Sequence, residues 1–192
     1  MTFPPQRAAA LARLRDFLPH AGADYARLRN YDLPAENHPH VSRLSPYLRH
    51  RVITEAEVVE ATLGRFSLKT SEKFIQEVFW RSYWKGWLEM RPSVWAEYRR
   101  TLEGTLSSLS AQTRSAIETA ENGQTGLAPF DAWARELRET GYLHNHARMW
   151  FASIWIFTLR LPWEVGADFF LRHLIDGDPA SNTLGWRWVA GL

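Results

Sequence analysis

Between His173 and Trp188 the chain runs HLIDGDPASNTLGWRW, placing Asp176, Asp178 and Asn182 within seven positions and following them with Trp186 and Trp188. Carboxylates and an amide this close together tune the charge and protonation of whatever they surround. The amide both donates and accepts, so it serves a ligand in more than one protonation state. A calcium loop is excluded, because the EF-hand glycine at the sixth position and the closing glutamate are missing. In FIQEVFWRSYWKGW, Glu77, Trp80, Arg81 and Trp84 are spaced by three and four and share one helix face. An arginine flanked by rings clamps a diphosphate while the rings stack on planar groups. The same spacing equally describes an amphipathic helix with a local ion pair. In SRLSPYL, Ser45 before Pro46 has the form of an N-cap followed by the residue best suited to the first helical position. The free amides there, beside the hydroxyls of Ser42 and Ser45, make a phosphate seat, although the pattern also marks an ordinary helix start. His144 and His146 lie two apart on a helix and point away from each other, and His38 and His40 sit in a loop without further ligands, so no metal is expected.

These residues need helices to hold them. Helical periodicity recurs along the chain and strand alternation does not. Helices are predicted over Ala8–Leu18, Glu55–Leu63, Ser71–Met90, Ser93–Ala120 with a break near Gly104, Phe130–Thr140, Leu143–Leu159 and Glu164–Ile175. Proline, glycine and asparagine interrupt them at NYDLPAENHPH, Arg91-Pro92, ENGQTG, Leu161-Pro162 and DGDPASN. No repeat or low-complexity linker divides the chain, so one all-α domain over residues 1–192 is expected.

Composition is consistent with that. A chain of 192 residues with 45% hydrophobic content buries one good core. Ten tryptophans are far more than ordinary usage, so either the core is unusually aromatic or some rings do electronic or stacking work. Net charge is only +2, but the 23 cations are overwhelmingly arginine, which suits planar contact with phosphate or carboxylate. The absence of cysteine excludes disulfides and thiolate metal sites and fits a reducing, cytoplasmic setting. The N-terminal MTFPPQRAAALARLRDF is an amphipathic helix rather than a signal peptide. The most apolar run, Met149 to Phe157, is too short to span a bilayer and is expected to be a buried helix.

The order of the pieces is more specific than any one of them. SRLSPYL, then WR in an aromatic helix, then FDAWARELRETGYLHNHARM, then HLIDGDPASNTLGWRW resembles the FAD-binding domain of the photolyase and cryptochrome family from about Tyr25 to the end. The resemblance implies a multi-helix orthogonal cluster holding FAD, with light-driven electron transfer from reduced flavin to split pyrimidine dimers in UV-damaged DNA, or alternatively blue-light or redox sensing. It implies that Tyr25, Ser42, Leu44 and Ser45 hold the diphosphate region and that Arg81 reaches the cofactor. Asn145 is to lie near flavin or adenine, Asp176 and Asp178 on the flavin and ribose side, and Asn182 at the flavin N5 edge. Trp186 and Trp163 match the inner and middle members of an electron-hopping chain, whose distal member has no match near Ser110–Ala120. Trp80 and Trp188 match the pair that packs on a flipped-out dimer, with Glu77 hydrogen-bonding it, Met149 lining the cavity and Arg29 facing DNA. Trp84, Trp87, Trp95, Trp133, Trp150 and Trp155 are assigned to plain core.

The chain also departs from the family. Val41 replaces a threonine, Ser82 the glutamate of the usual WRE, and His146 an arginine. No N-terminal α/β antenna domain is expected. The chain stops where relatives continue, so either flavin is held loosely or a partner chain or second copy completes the pocket.

Overall fold

The computed structural model describes residues 3–33 and 38–192. Among them are eleven α-helices, one 3₁₀ turn and one π-helical turn, with no strand. Part of the predicted NYDLPAENHPH break, residues 34–37, lies outside the described residues. The chain divides into two compact units, Met1–Tyr83 and Trp84–Leu192.

In the first unit α1 spans Arg7–Phe17, a 3₁₀ turn Leu18–His20, α2 Ala23–Leu28, α3 Ser45–Arg49 and α4 Glu55–Leu63. Helix α5, Leu68–Glu89, begins here and ends in the next unit. Its core gathers Leu14, Phe17, Tyr25, Leu44, Tyr47, Ile53, Val58, Phe74 and Val78. Three of those rings meet edge-on or tilted, Tyr25–Phe74 at 5.0 Å, Phe17–Phe74 at 5.4 Å and Phe17–Tyr25 at 6.1 Å, the arrangement that aromatic quadrupoles favour. Helix α4 starts with a reciprocal cap. The Glu57 amide donates to Thr54 Oγ1, the Thr54 amide donates to Glu57 Oε2 at 2.8 Å, and Arg7 pairs with the same carboxylate.

The second unit holds α6 Pro92–Ser108, α7 Ala111–Glu121, α8 Ala128–Thr140, α9 Asn145–Ser153, a π turn Ile154–Thr158, α10 Trp163–His173 and α11 Pro179–Ala190. Helix α10 packs on α11 and α6. Aromatic rings stack at the centre of this unit's core: Phe130 on Phe151 at 4.1 Å, Phe151 on Trp155 at 5.9 Å, and Trp155 on Phe169 at 6.3 Å. Two glycines make this packing possible. Gly166 lets the Trp186 ring lie on the α10 backbone, where a Cβ would collide with that indole and come within 2.9 Å of Trp155 Nε1. Gly141 closes α8 at φ 65°, and its carbonyl accepts the Ile175 amide at 2.9 Å, tying the 173–175 segment to the end of α8.

Several boundaries differ from the predicted ones. The 93–120 helix breaks at Leu109–Ser110 rather than at Gly104, because Ser110 Oγ caps α7 by accepting the Thr113 amide at 3.0 Å, while Gly104 is tolerated inside α6. The break at DGDPASN falls as expected, between α10 and α11, but its second half opens a helix that was not predicted, with Asp178 as N-cap and Pro179 at the first helical position. Ser45 is the first residue of α3, whose N-cap, Leu44, makes no side-chain cap bond, so the expected Ser45 cap is corrected. Within Met149–Phe157 the outer ring positions are open, with Trp150 43% and Phe157 60% exposed, so Trp150 is not the core residue expected.

Replacing Gly166 with alanine forces that collision. Gly166→Ala should cost about 1–3 kcal/mol, read as a lower urea midpoint with an unchanged slope. Bonds from Arg7 and Thr54 hold the Glu57 carboxyl down at about 2. Its support of α4 is therefore complete above the ordinary glutamate value of about 4.3 and is lost only as pH falls through the lowered one. The Thr54 amide should stay slow to exchange during acidification through the ordinary glutamate range; early loss of protection would contradict the bond.

Candidate functional site

In the second unit the acid-rich turn is built from both of its ends. Asp176 is buried, and its Oδ2 accepts from Arg148 Nη2 at 2.9 Å. The guanidinium is aimed by its Nε, which donates to the Leu143 carbonyl at 2.8 Å, and it lies 5.6 Å from the Tyr142 ring centroid. Burial works against the Arg148 charge, but the Asp176 carboxylate outweighs this and holds its pKa above the ordinary arginine value. The other oxygen of Asp176, Oδ1, is also buried and accepts no hydrogen bond among the described residues. A buried carboxylate oxygen left without a donor is costly, so its natural complement is a donor from a ligand.

Asp178 has a structural duty. Its Oδ1 accepts the amides of Ala180 at 3.0 Å and Ser181 at 3.1 Å, fixing the start of α11. Asn182, one turn further, donates from Nδ2 to the Ala167 carbonyl at 2.7 Å. That bond orients the amide and leaves Oδ1 and the second amide hydrogen for another group. Trp186 is 3% exposed and its buried Nε1 finds no partner among the described residues. Trp188, two positions on, faces the opposite way and is 64% exposed. Asn145 is exposed at the first position of α9, and Met149 and Trp163 are half-buried. His144 Nδ1 accepts the His146 amide at 3.2 Å, so this imidazole caps α9. Among the described residues no group of three or more His, Asp and Glu side chains stands where it would hold a metal.

In the first unit the residues of α5 are paired with other elements. Glu77 is held by Arg29 and lies 3.9 Å from Lys73 Nζ. Arg81 Nε is 3.5 Å from Glu55 Oε1, and Glu55 also pairs with Arg51. The local Glu77–Arg81 ion pair that the spacing allowed is thus replaced by longer-range partners. Arg29, matched by resemblance to a DNA-facing position, is engaged by Glu77. Tyr25 is a core ring, and burial together with the nearby Glu77 charge pushes its phenol up to about 12, so it is a neutral donor at ordinary pH. Ser42 Oγ faces the Leu44 amide at 3.4 Å, and the Leu44 side chain is in the core, which leaves only its backbone for a ligand. Trp80 is 44% exposed, edge-on to Tyr83 at 5.3 Å. With Leu68, Lys73, Phe79 and Tyr83 it lines an open groove of about 840 Å³.

Two features of these sites were missed. Arg148 is not singled out by its sequence context, because an arginine near a helix start suggests a solvated side chain and its partner is 28 residues away. The exposed residues Leu68, Phe79 and Tyr83 repeat at helical spacing, a pattern that by itself equally describes a core face.

Residues 74–192 match the family described as the FAD binding domain of DNA photolyase. The deoxyribodipyrimidine photo-lyase of Synechococcus sp. is 36% identical over 97% of this chain and 39% of its own length, and that of Streptomyces griseus is 36% identical over 78% and 32%. Among solved structures, a class III photolyase from Agrobacterium tumefaciens superposes with a TM-score of 0.80 at 30% identity, covering 97% of this chain and 38% of that one. A cryptochrome from Synechocystis sp. gives 0.82 at 28%, covering 100% and 40%. The chain spans about two-fifths of the length of these relatives.

Arg148→Met would strand the Asp176 charge. It should cost about 2–4 kcal/mol in urea unfolding, less than for a fully buried pair, because the guanidinium side chain is 24% exposed. Adding Asp176→Asn should recover part of the loss, and no recovery would show that the two side chains are not coupled.

Proposed function

We propose that this chain, which belongs to the family of the FAD binding domain of DNA photolyase, binds FAD and donates electrons under light to pyrimidine dimers in UV-damaged DNA. The observation that carries the cofactor reading is the buried Asp176 Oδ1, which accepts no hydrogen bond among the described residues while its sister oxygen is paired with Arg148. This fits a ligand that brings an N–H or O–H donor, as FAD does at both its flavin and its ribose. Bound and reduced, FAD supplies a one-electron donor driven by light. The protein's share is to orient that group and keep its surroundings charged in a fixed way. Arg148 pairs with Asp176, Asn182 presents an amide held by Ala167, and Asp178 fixes the helix carrying Asn182. Tyr25, Ser42, Leu44, Ser45, Arg81 and Asn145 are assigned to the cofactor by resemblance alone.

The exposed indoles of Trp80 and Trp188 support a nucleic-acid substrate, since a base taken out of its stack needs an apolar face to lie on. Glu77 is assigned to the base edge and Met149 to the lesion cavity by resemblance alone. A second reading, a sensing flavoprotein without repair, is favoured by one observation: the Glu77 carboxylate is already occupied by Arg29 and Lys73.

Purified protein reconstituted with FAD should be yellow, and illumination under reducing conditions should restore a cyclobutane-dimer oligonucleotide. Flavin uptake without restoration favours sensing, and a protein that stays colourless contradicts both readings. Loss of one charge-assisted bond is worth about 1.5–3 kcal/mol, so Asp176→Asn should weaken FAD binding by roughly ten- to a hundredfold. Loss of one stacking ring is worth about 1–3 kcal/mol, so Trp80→Ala should weaken binding of dimer-containing strand more than undamaged strand. Equal losses on both strands would make the ring structural.

A further inference from the structure

Two ring contacts in the second unit connect Trp163 with Trp95 through Tyr98. Trp186, on α11, is buried against Gly166 of α10, and Trp163 stands three residues before Gly166 on α10. Trp163 lies 5.6 Å from Tyr98 at an interplanar angle of 38°, and Tyr98 lies 5.3 Å from Trp95 at 34°. Tyr98 and Trp95 are themselves one turn apart on α6. Trp186 is sealed from water, Trp163 and Trp95 are each partly exposed, and the Tyr98 ring between those two is buried. Helix α7, where a distal tryptophan was sought, contains none.

We propose that Trp95 is the solvent-side electron donor of this unit and that the Tyr98 ring carries its electron to Trp163. The proposal rests on the FAD reading above. One electron passes from Trp186 to photoexcited flavin, Trp163 refills Trp186, and Trp95 refills Trp163 across Tyr98. A thiol in solution refills Trp95, and two such events convert two thiols into one disulfide and release two protons. Tyr98 serves as a bridge and is not itself oxidised. Its hydroxyl donates to the Glu164 carbonyl at 3.4 Å, a group unable to take the phenolic proton, and burial with the nearby Asp168 and Glu164 charges holds the phenol protonated. What the path needs from position 98 is therefore the ring and not the hydroxyl.

FAD-loaded protein, its bound flavin measured by visible absorbance, is illuminated with and without a nitroso spin trap, and the trapped residue is located by peptide mass. The wild type should carry the adduct on Trp95. Trp95→Phe, a change at a partly exposed position, should abolish that adduct and slow flavin bleaching several-fold. Tyr98→Leu should lose the Trp95 adduct and Tyr98→Phe should restore it, whereas Trp133→Phe should change neither readout. Adducts on another ring, with bleaching in Trp95→Phe at the wild-type rate, would overturn the path while leaving the cofactor reading intact. Protein that takes up no flavin overturns both.

Discussion

A carboxylate taken out of water has to be paired, and the second unit is organised around one that is only half paired. Asp176 can be buried because Arg148 reaches it, and Arg148 can reach it because its Nε is pinned to the Leu143 carbonyl. The loop carrying Asp176 is tied to the end of α8 through the Gly141 carbonyl and the Ile175 amide, a turn that needs a left-handed residue at position 141. Immediately afterwards Asp178 caps α11, which carries Asn182, Trp186 and Trp188. Every group assigned to the flavin in this unit thus lies within one turn of that ion pair or on the helix that begins beside it. Arginine suits the position better than lysine, since one edge of the guanidinium is spent on the backbone and the other on the carboxylate.

The same unit divides its tryptophans by packing. Trp155 and Trp186 are core rings, and Gly166 lies against both. Trp95 and Trp163 are partly covered and touch through Tyr98, while Trp150 and Trp188 are open. An aromatic core would account for the buried pair. It does not account for indoles left in water, which carry an apolar cost that a stacking partner would relieve. Trp80 in the first unit has the same character, beside Tyr83 and Phe79.

Much of this was legible from periodicity and capping. Glu55–Leu63 appears with the boundaries its pattern predicts, because Thr54 and Glu57 make an unambiguous start. Position 109–110 was harder. Gly104 looks like the weaker point on propensity alone, but an exposed glycine inside a helix costs only about 1 kcal/mol, and Ser110 offers the following segment a cap. The interruption at DGDPASN was legible from its proline and glycine, but the helix it opens was not, although aspartate before proline is also how a helix begins. At the site, Asp176, Asp178 and Asn182 were visible by residue type. Their division of labour was not, since whether an aspartate caps, pairs or waits for a ligand depends on contacts far away in the chain. Arg148 was hidden for that reason, and so was the engagement of Glu77 by Arg29.

The central claim is that Asp176 Oδ1 is kept for a donor on bound FAD, and the structure of the FAD-saturated protein tests it directly. The account predicts a flavin or ribose N–H or O–H group within about 2.7–3.2 Å of that oxygen, with the Arg148 pair intact. Flavin bound elsewhere, or Asp176 Oδ1 turned to a donor of the protein itself, would contradict it.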